Sequence, residues 1–279
     1  MLRQLKKKLP DAIALLLIAL ATGSGPASAQ SADSTQEGID DYRQMLSDGG
    51  NPGDLLVDTG KELWLEKKGP KNASLQDCDL GLGPGVVKGA YAQLPRFFQD
   101  ADKVMDAETR IMYCMQTLQG INAKDITPTV FSKSGDISTD WEAIVAYVAN
   151  ESSGIAMAAP QSHAAEKAAY ERGQKIFFHR SGPYDFSCAT CHGAADKRIR
   201  LQNLPDLLNA KDAQQAYTTW PGYRVSQGVV RTMQWRLQDC FRQQRLPKLK
   251  FASQASIDLL TFLAVRAKEG KMAAPGIKR

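Results

Sequence analysis

The chain has 279 residues, 43% of them hydrophobic and 23% charged, and carries a formal net charge of +5. So small a charge gives no support for nucleic acid as a partner, and the mixed composition excludes a disordered or fibrous chain. The length suits one large domain or two of about 100–150 residues each.

Residues 1–29 read as a secretory signal peptide. MLRQLKKKLP is basic, AIALLLIALA is an apolar run, and GPASAQ carries the small-x-small pattern that places cleavage after Ala29. The run is too short to span a bilayer, and no later stretch approaches about 18 uninterrupted apolar residues, so no membrane span is expected. The expected mature protein is exported, soluble and periplasmic. The signal carries +3 of the formal charge through Arg3, Lys6, Lys7 and Lys8 against Asp11. In an oxidising compartment the five cysteines should be disulfides, cofactor attachments or reactive thiols. Five is odd, so at least one needs its own explanation.

Next in chain order come GKELW (60–64), CDLGLG (78–83), LPRFFQDAD (94–102), TRIMYC (109–114) and DWEAIVAYVAN (140–150), whose meaning emerges from the second half. There SHAAEKAAYERGQKIFF (162–178) has helix-forming composition, with Ala168, Tyr170, Ile176 and Phe177 among its apolar positions. It leads to CATCHG (188–193), where Cys188, Cys191 and His192 form Cys-x-x-Cys-His, the motif of covalent c-type haem attachment. Two thiols add to the haem vinyl groups, and the adjacent histidine binds iron as proximal ligand. A thioredoxin-like redox pair would want a flanking βαβ pattern, which is not visible. SIDLLTFLAVRAKEG (256–270) predicts a closing helix with Ile257, Leu260, Phe262, Leu263 and Val265 apolar. Gly173 would let that helix cross the one before the motif closely, as in a class I cytochrome c.

The two halves match each other. GKELW parallels GQKIF (173–177), LPRFFQDAD parallels LPDLLNAKD (204–212), and TRIMYC parallels WRLQDC (235–240), each with Arg-x-x-x-Cys. DWEAIVAYVAN matches the closing helix. Cys78 and Cys188 lie 17 residues before Pro95 and Pro205, which sets Gly81 and Leu82 where Cys191 and His192 stand. The expected fold is therefore mainly α: a tandem pair of class I cytochrome c-like domains, 30–152 without haem and 153–279 with one covalent haem c. Leucine cannot ligate iron, and one thiol would hold a porphyrin poorly. Cys78 and Cys114, facing the vacated space, are expected to form a disulfide; two unrelated buried thiols are the alternative. On this register the second copy has 16 extra residues, expected around TTWPGYRVSQGVVRTM (218–233) as part of a site.

Cys240 is left over, and by the repeat it faces the haem from the distal side. RTMQWRLQDCFRQQRLPKLK (231–250) holds six basic residues and one acidic residue, Asp239. A helix there puts Arg236 and Cys240 on one face, one turn apart. A neighbouring guanidinium lowers a thiol pKa, and iron ligation would stabilise the thiolate further. Other readings compete. Arg242, Arg245, Lys248 and Lys250 fit a solvated helix face, Met233 could be the distal ligand, and His163 or His179 could serve or merely pack.

CDLGLGPG followed by LPRFF, then CATCHG and RLQDCFRQQR, together resemble the SoxA family of cytochrome subunits of L-cysteine S-thiosulfotransferases, across essentially the whole mature chain. Many members carry two haems; the departure at Gly81 and Leu82 resembles the single-haem subgroup, in which a disulfide replaces the missing haem. The resemblance implies oxidative conjugation of thiosulfate to a cysteine of a SoxYZ-type sulfur carrier, with two electrons passed to cytochrome c. It implies His192 as proximal ligand, and Cys240 as both distal ligand and catalytic sulfur. Arg236 would hold the sulfonate end, since a guanidinium matches an oxyanion and keeps its charge. A small cytochrome partner of the SoxX type is implied, because two electrons exceed one haem's capacity. A plain periplasmic electron-transfer cytochrome and a haem-based anion sensor are the rival readings.

Overall fold

A computed structural model describes residues 32–130, 139–199 and 202–278; the expected signal peptide at 1–29 lies outside the described residues. The first half holds α1 (Ala32–Asp48), α2 (Asp54–Leu65), the hairpin β1 (Arg96–Phe98) and β2 (Lys103–Met105), α3 (Ala107–Thr117), α4 (Ala123–Val130) and α5 (Asp140–Asn150). The second holds α6 (Ala164–Phe178), α7 (Cys188–His192), β3 (Arg198–Ile199), β4 (Gln202–Asn203), α8 (Ala210–Tyr217), β5 (Gly222–Arg224), β6 (Val229–Arg231), α9 (Met233–Gln243), α10 (Gln254–Arg266) and β7 (Gly276–Lys278). Among the described residues no helix is long and apolar enough to cross a membrane.

One unit is built twice, around α2 crossing α5 and α6 crossing α10. Both crossings close on glycine. A Cβ at Gly60 would lie 2.0 Å from the Ala143 carbonyl oxygen, and one at Gly173 would lie 2.0 Å from that of Asp258. Four residues on, Trp64 and Phe177 are buried beneath the crossings, Trp64 against Tyr147 and Phe177 against Phe262. Arg172 clamps the second crossing through two hydrogen bonds to Asp258, 2.7 and 2.8 Å long.

The repeat is real, but its register differs from the sequence match. Pro95 leads into β1–β2 and Pro221 into β5–β6; each hairpin then feeds a capped helix. Asp106 caps α3 by accepting from Thr109 N, and Thr232 caps α9 by accepting from Trp235 N. Counting from these caps, Arg110 and Cys114 occupy the places of Arg236 and Cys240, as expected. Phe98, paired with Lys103, occupies the place of Arg224, paired with Val229. LPRFF therefore corresponds to WPGYR (220–224), whereas LPDLLNAKD falls on the turn into α8. The extra residues of the second copy are β3, β4 and α8, ahead of the hairpin and not at 218–233. A Leu-Pro step followed by two apolar residues suits a strand or a turn equally, so so short a match cannot fix register.

The copies are tied along one side. Met157 N donates to Gly270 O at 2.8 Å and Met272 N to Ile155 O at 2.9 Å. α1, expected within the first domain, packs on β7 of the second, and Asn51 Nδ2 donates to Pro275 O at 2.5 Å. β7 joins the second hairpin in parallel, giving the order β6-β5-β7, whereas the first hairpin has two strands.

Between the copies lies a buried polar seam. Arg231 is fully buried, paired with Glu142 at 3.2 Å and bonded to Gln227 at 3.1 Å, while Gln234 Nε2 donates to Asp106 at 2.6 Å. Glu108 is also buried there, beside Asp106 and Thr232. Burial, and then the neighbouring Asp106 carboxylate, hold its pKa well above the ordinary value. The native state therefore keeps this proton after the unfolded chain has released it. Its contribution to stability is complete at low pH and is lost as pH rises from about 4.5 towards the raised native value. Glu108→Gln is expected to flatten that decline and raise the melting temperature near neutral pH. Parallel curves of melting temperature against pH for the two proteins would refute this.

Candidate functional site

α7 is one turn built for its two thiols. Ser187 caps it by accepting from Thr190 N at 3.2 Å, and Thr190 Oγ1 accepts from Ser187 N at 3.0 Å. Cys188 and Cys191 thus sit one turn apart, and both are free thiols. His192 Nδ1 lies 2.9 Å from Pro205 O. A carbonyl can only accept, so Nδ1 carries the proton and Nε2 keeps its lone pair for a ligand. Leu207 N donates to His192 O at 2.9 Å, and Arg266 of α10 donates to the carbonyls of Leu207 and Leu208. The ring is thus fixed through Pro205, and the segment that carries Pro205 is tied to the His192 backbone and to α10. Burial lowers the imidazole pKa, the bond to Pro205 opposes this, and Arg236 lowers it further; the ring is kept neutral, as iron ligation requires.

α9 brings Cys240 and Arg236 to this turn. Cys240 is a free, partly buried thiol within electrostatic reach of Cys188 and Cys191. Burial pushes the Cys240 thiol up and Arg236 pulls it back, while burial and then Cys240 push Cys188 up to about 12. The thiols at 188, 191 and 240, the imidazole of His192 and the Arg236 guanidinium therefore form one cluster. Two thiols one turn apart with a fixed imidazole are the donor set that attaches a c-type haem.

The competing residues lie elsewhere. Met233 lines a small cavity between the copies with Tyr91, Asp106, Glu108 and Tyr217. His163 caps α6, accepting from Ala165 N at 3.2 Å, and stacks on Phe97 at 3.7 Å between ring centroids. His179 is exposed at the end of α6. The basic run separates by role: Arg231 is structural, Arg242 pairs with Asp239 at 2.6 Å, Arg245 lies over Tyr184 at 5.5 Å, and Lys248 and Lys250 are exposed. Arg224 and Lys278, which the sequence did not single out, also face the cluster electrostatically. Arg224 lies in the second hairpin, and Lys278 reaches it only through pairing of distant strands.

The first copy has a different centre. Cys78 and Cys114 are bonded to each other, with Cα atoms 5.7 Å apart. Arg110, at the place of Arg236, is buried and fully engaged. It makes two hydrogen bonds to Asp100 at 2.8 and 2.9 Å, donates to Asp79 O at 2.6 Å, and lies over Phe98 at 4.1 Å. Arg236 is 29% exposed, and its nearest carboxylate oxygen, on Asp239, is 3.6 Å away. The same position carries a consumed cation in one copy and an available one in the other.

Comparison with known proteins agrees with this picture. The family model of the SoxA/TsdA cytochrome c domain matches residues 59–157 and 172–272, one stretch in each copy. The chain is 46% identical over 275 residues to the L-cysteine S-thiosulfotransferase subunit SoxA of Hydrogenophilus thermoluteolus, covering 98% of this chain and 100% of that one. A protein of the same name from Hydrogenobacter thermophilus is 33% identical over 231 residues, 82% of each chain. The crystal structure of SoxXA from P. pantotrophus shares the fold, with a TM-score of 0.70 at 24% identity over 86% of this chain and 84% of that chain.

Proposed function

The chain belongs to the SoxA/TsdA cytochrome c family, among the SoxA subunits of L-cysteine S-thiosulfotransferases, and from that membership we propose that it is the catalytic cytochrome subunit that conjugates thiosulfate to a cysteine of a sulfur carrier. Its working domain is 153–279, and 30–152 is a haem-free copy braced by the Cys78–Cys114 disulfide. One haem c would be held there by the thiols of Cys188 and Cys191, with His192 and Cys240 as the further residues that would hold it. When bound, the haem supplies one-electron redox chemistry beside a sulfur atom.

The protein's own groups do the rest. The Pro205 carbonyl fixes the His192 tautomer. Arg236 takes the sulfonate end of thiosulfate and leaves its outer sulfur towards Cys240. The Cys240 thiolate and that sulfur join, two electrons pass to cytochrome c, and a Cys240–S–S–sulfonate adduct results. The carrier's thiolate then attacks the outer sulfur, takes the thiosulfonate group and releases the Cys240 thiolate, so no atom or electron is left over. A small cytochrome of the SoxX type is the partner subunit, which the likeness to SoxXA supports. A SoxYZ-type protein is the carrier, and the periplasm is the compartment.

The observation that carries this reading is the contrast between Arg236 and Arg110. A cytochrome that only carried electrons would have no use for a part-exposed guanidinium, held by a single long ion pair to Asp239, one turn from a cysteine. Two mass measurements test it. The intact mature protein should show one covalent haem and a Cys78–Cys114 linked peptide after non-reducing digestion. With the partner cytochrome, carrier and thiosulfate present, the carrier should gain one thiosulfonate group. A second haem, or free thiols at both 78 and 114, would overturn the account of the first copy; an unmodified carrier would overturn the activity.

A further inference from the structure

We propose that Arg224 and Lys278 complete, together with Arg236, a three-cation cradle that binds the tetrahedral oxyanion end of the substrate; this deepens the reading above and rests on it. The two side chains are placed by strand pairing. β5 and β7 run parallel with Arg224 opposite Lys278, so two cations stand side by side on neighbouring strands. Like charges directly opposite are destabilising. Among the described residues neither has a carboxylate within ion-pair distance. The nearby acid, Asp239, is already shared by Arg242 at 2.6 Å, Gln243 at 2.6 Å and Arg236 at 3.6 Å.

Three further observations point to a ligand. Arg224 Nε is buried with no hydrogen-bond partner. Lys278 Nζ donates to Thr219 Oγ1 and lies 5.8 Å from the Trp220 ring centroid, which fixes a long side chain that solvent would otherwise leave free. The internal repeat supplies the third. The first copy has phenylalanine, Phe98, where the second has Arg224, and among the described residues its hairpin has no third strand to supply a counterpart of Lys278. Both cations are confined to the copy that has Cys188, Cys191, His192 and an available Arg236. Their fields reach the same place. Burial, then Arg43, Arg236 and Arg224, lower the Lys278 pKa to about 7, and burial, then Arg236, lower that of Arg224. Burial is the larger cause of both shifts; a bound dianion would offset the part that the neighbouring cations add and hold Lys278 in its charged form. It would also favour thiosulfate over monoanionic or neutral thiols, since only a dianion offers that much compensation.

The test uses the haem-loaded complex with its partner cytochrome. Arg224→Gln and Lys278→Gln should each raise KM for thiosulfate about tenfold or more with kcat within about twofold, the pattern of lost ground-state binding. Lys278→Arg should restore most of the affinity, and Lys248→Gln, an exposed change in the same basic run, should do nothing. Sulfate, an unreactive tetrahedral dianion, should bind the wild-type complex in calorimetry and lose about tenfold or more in affinity in both variants. Haem absorption reports whether each variant has folded; if one has not, the other carries the same measurements. Wild-type turnover with unchanged KM and unchanged sulfate affinity in the variants overturns the cradle. Absence of sulfate binding to wild type overturns it too. Sulfate binding that depends on both residues in a complex that fails to modify the carrier would sustain the cradle and sink the thiosulfotransferase reading.

Discussion

Cys240→Met is expected to fold, to carry its haem, and to lose thiosulfate conjugation by about a thousandfold or more. The chemistry sets that size. The proposed intermediate is a covalent bond to the Cys240 sulfur, and a thioether offers no thiolate to form it. Loss of a nucleophile is not a graded loss of affinity, so no substrate concentration should rescue the variant. The haem should remain because its proposed covalent links are to Cys188 and Cys191 on α7, which is capped by Ser187 and Thr190 independently of α9. Methionine is itself a haem ligand in electron-transfer cytochromes. The substitution therefore separates the two roles of this position. An absorption spectrum shifted from thiolate to thioether ligation, electron exchange with the partner cytochrome, and no carrier conjugate is the expected set. A Cys240→Met complex that still modified the carrier near the wild-type rate would return the protein to plain electron transfer.

Much of this site was legible in the sequence because its spacing is local. Cys-x-x-Cys-His occupies one helical turn, and Arg-x-x-x-Cys occupies the next spacing that shares a helix face, so neither needs knowledge of the fold. The crossing helices were legible for the same reason: Gly60 and Gly173 each stand four residues, about one turn, before a large aromatic residue, Trp64 or Phe177. What sequence reading misplaced was the register of the repeat, because it did not see the hairpin. Its strands are three residues long, too short for alternation to show. The resemblance of LPRFF to LPDLL outweighed the weaker one to WPGYR, which is the one that shares structure. What it did not find was Lys278. That residue reaches the site through a parallel pairing 54 positions from Arg224 in the chain, and nothing in its neighbours announces a strand partner.

The repeat supplies its own control for the last prediction. Arg236→Leu and Arg110→Leu make the same change at the same place in two copies of one unit, and their effects should be opposite in kind. Arg236 is 29% exposed, with one carboxylate oxygen 3.6 Å away, so removing it should cost little stability. Losing a charge-assisted contact to a dianion costs about 1.5–3 kcal/mol, so conjugation should fall roughly ten- to a hundredfold while the haem spectrum stays intact. Arg110 is buried, and its loss strips Asp79 O of a donor, Asp100 of its ion pair and the Phe98 ring of the guanidinium stacked over it. The expected cost is about 2–4 kcal/mol of stability, read as a lower melting temperature, with kcat/KM unchanged in whatever fraction stays folded. If the two substitutions instead behaved alike, both cutting turnover or both cutting stability, the difference drawn between the copies would be wrong. Arg236 would then be one more cation on a solvated helix face.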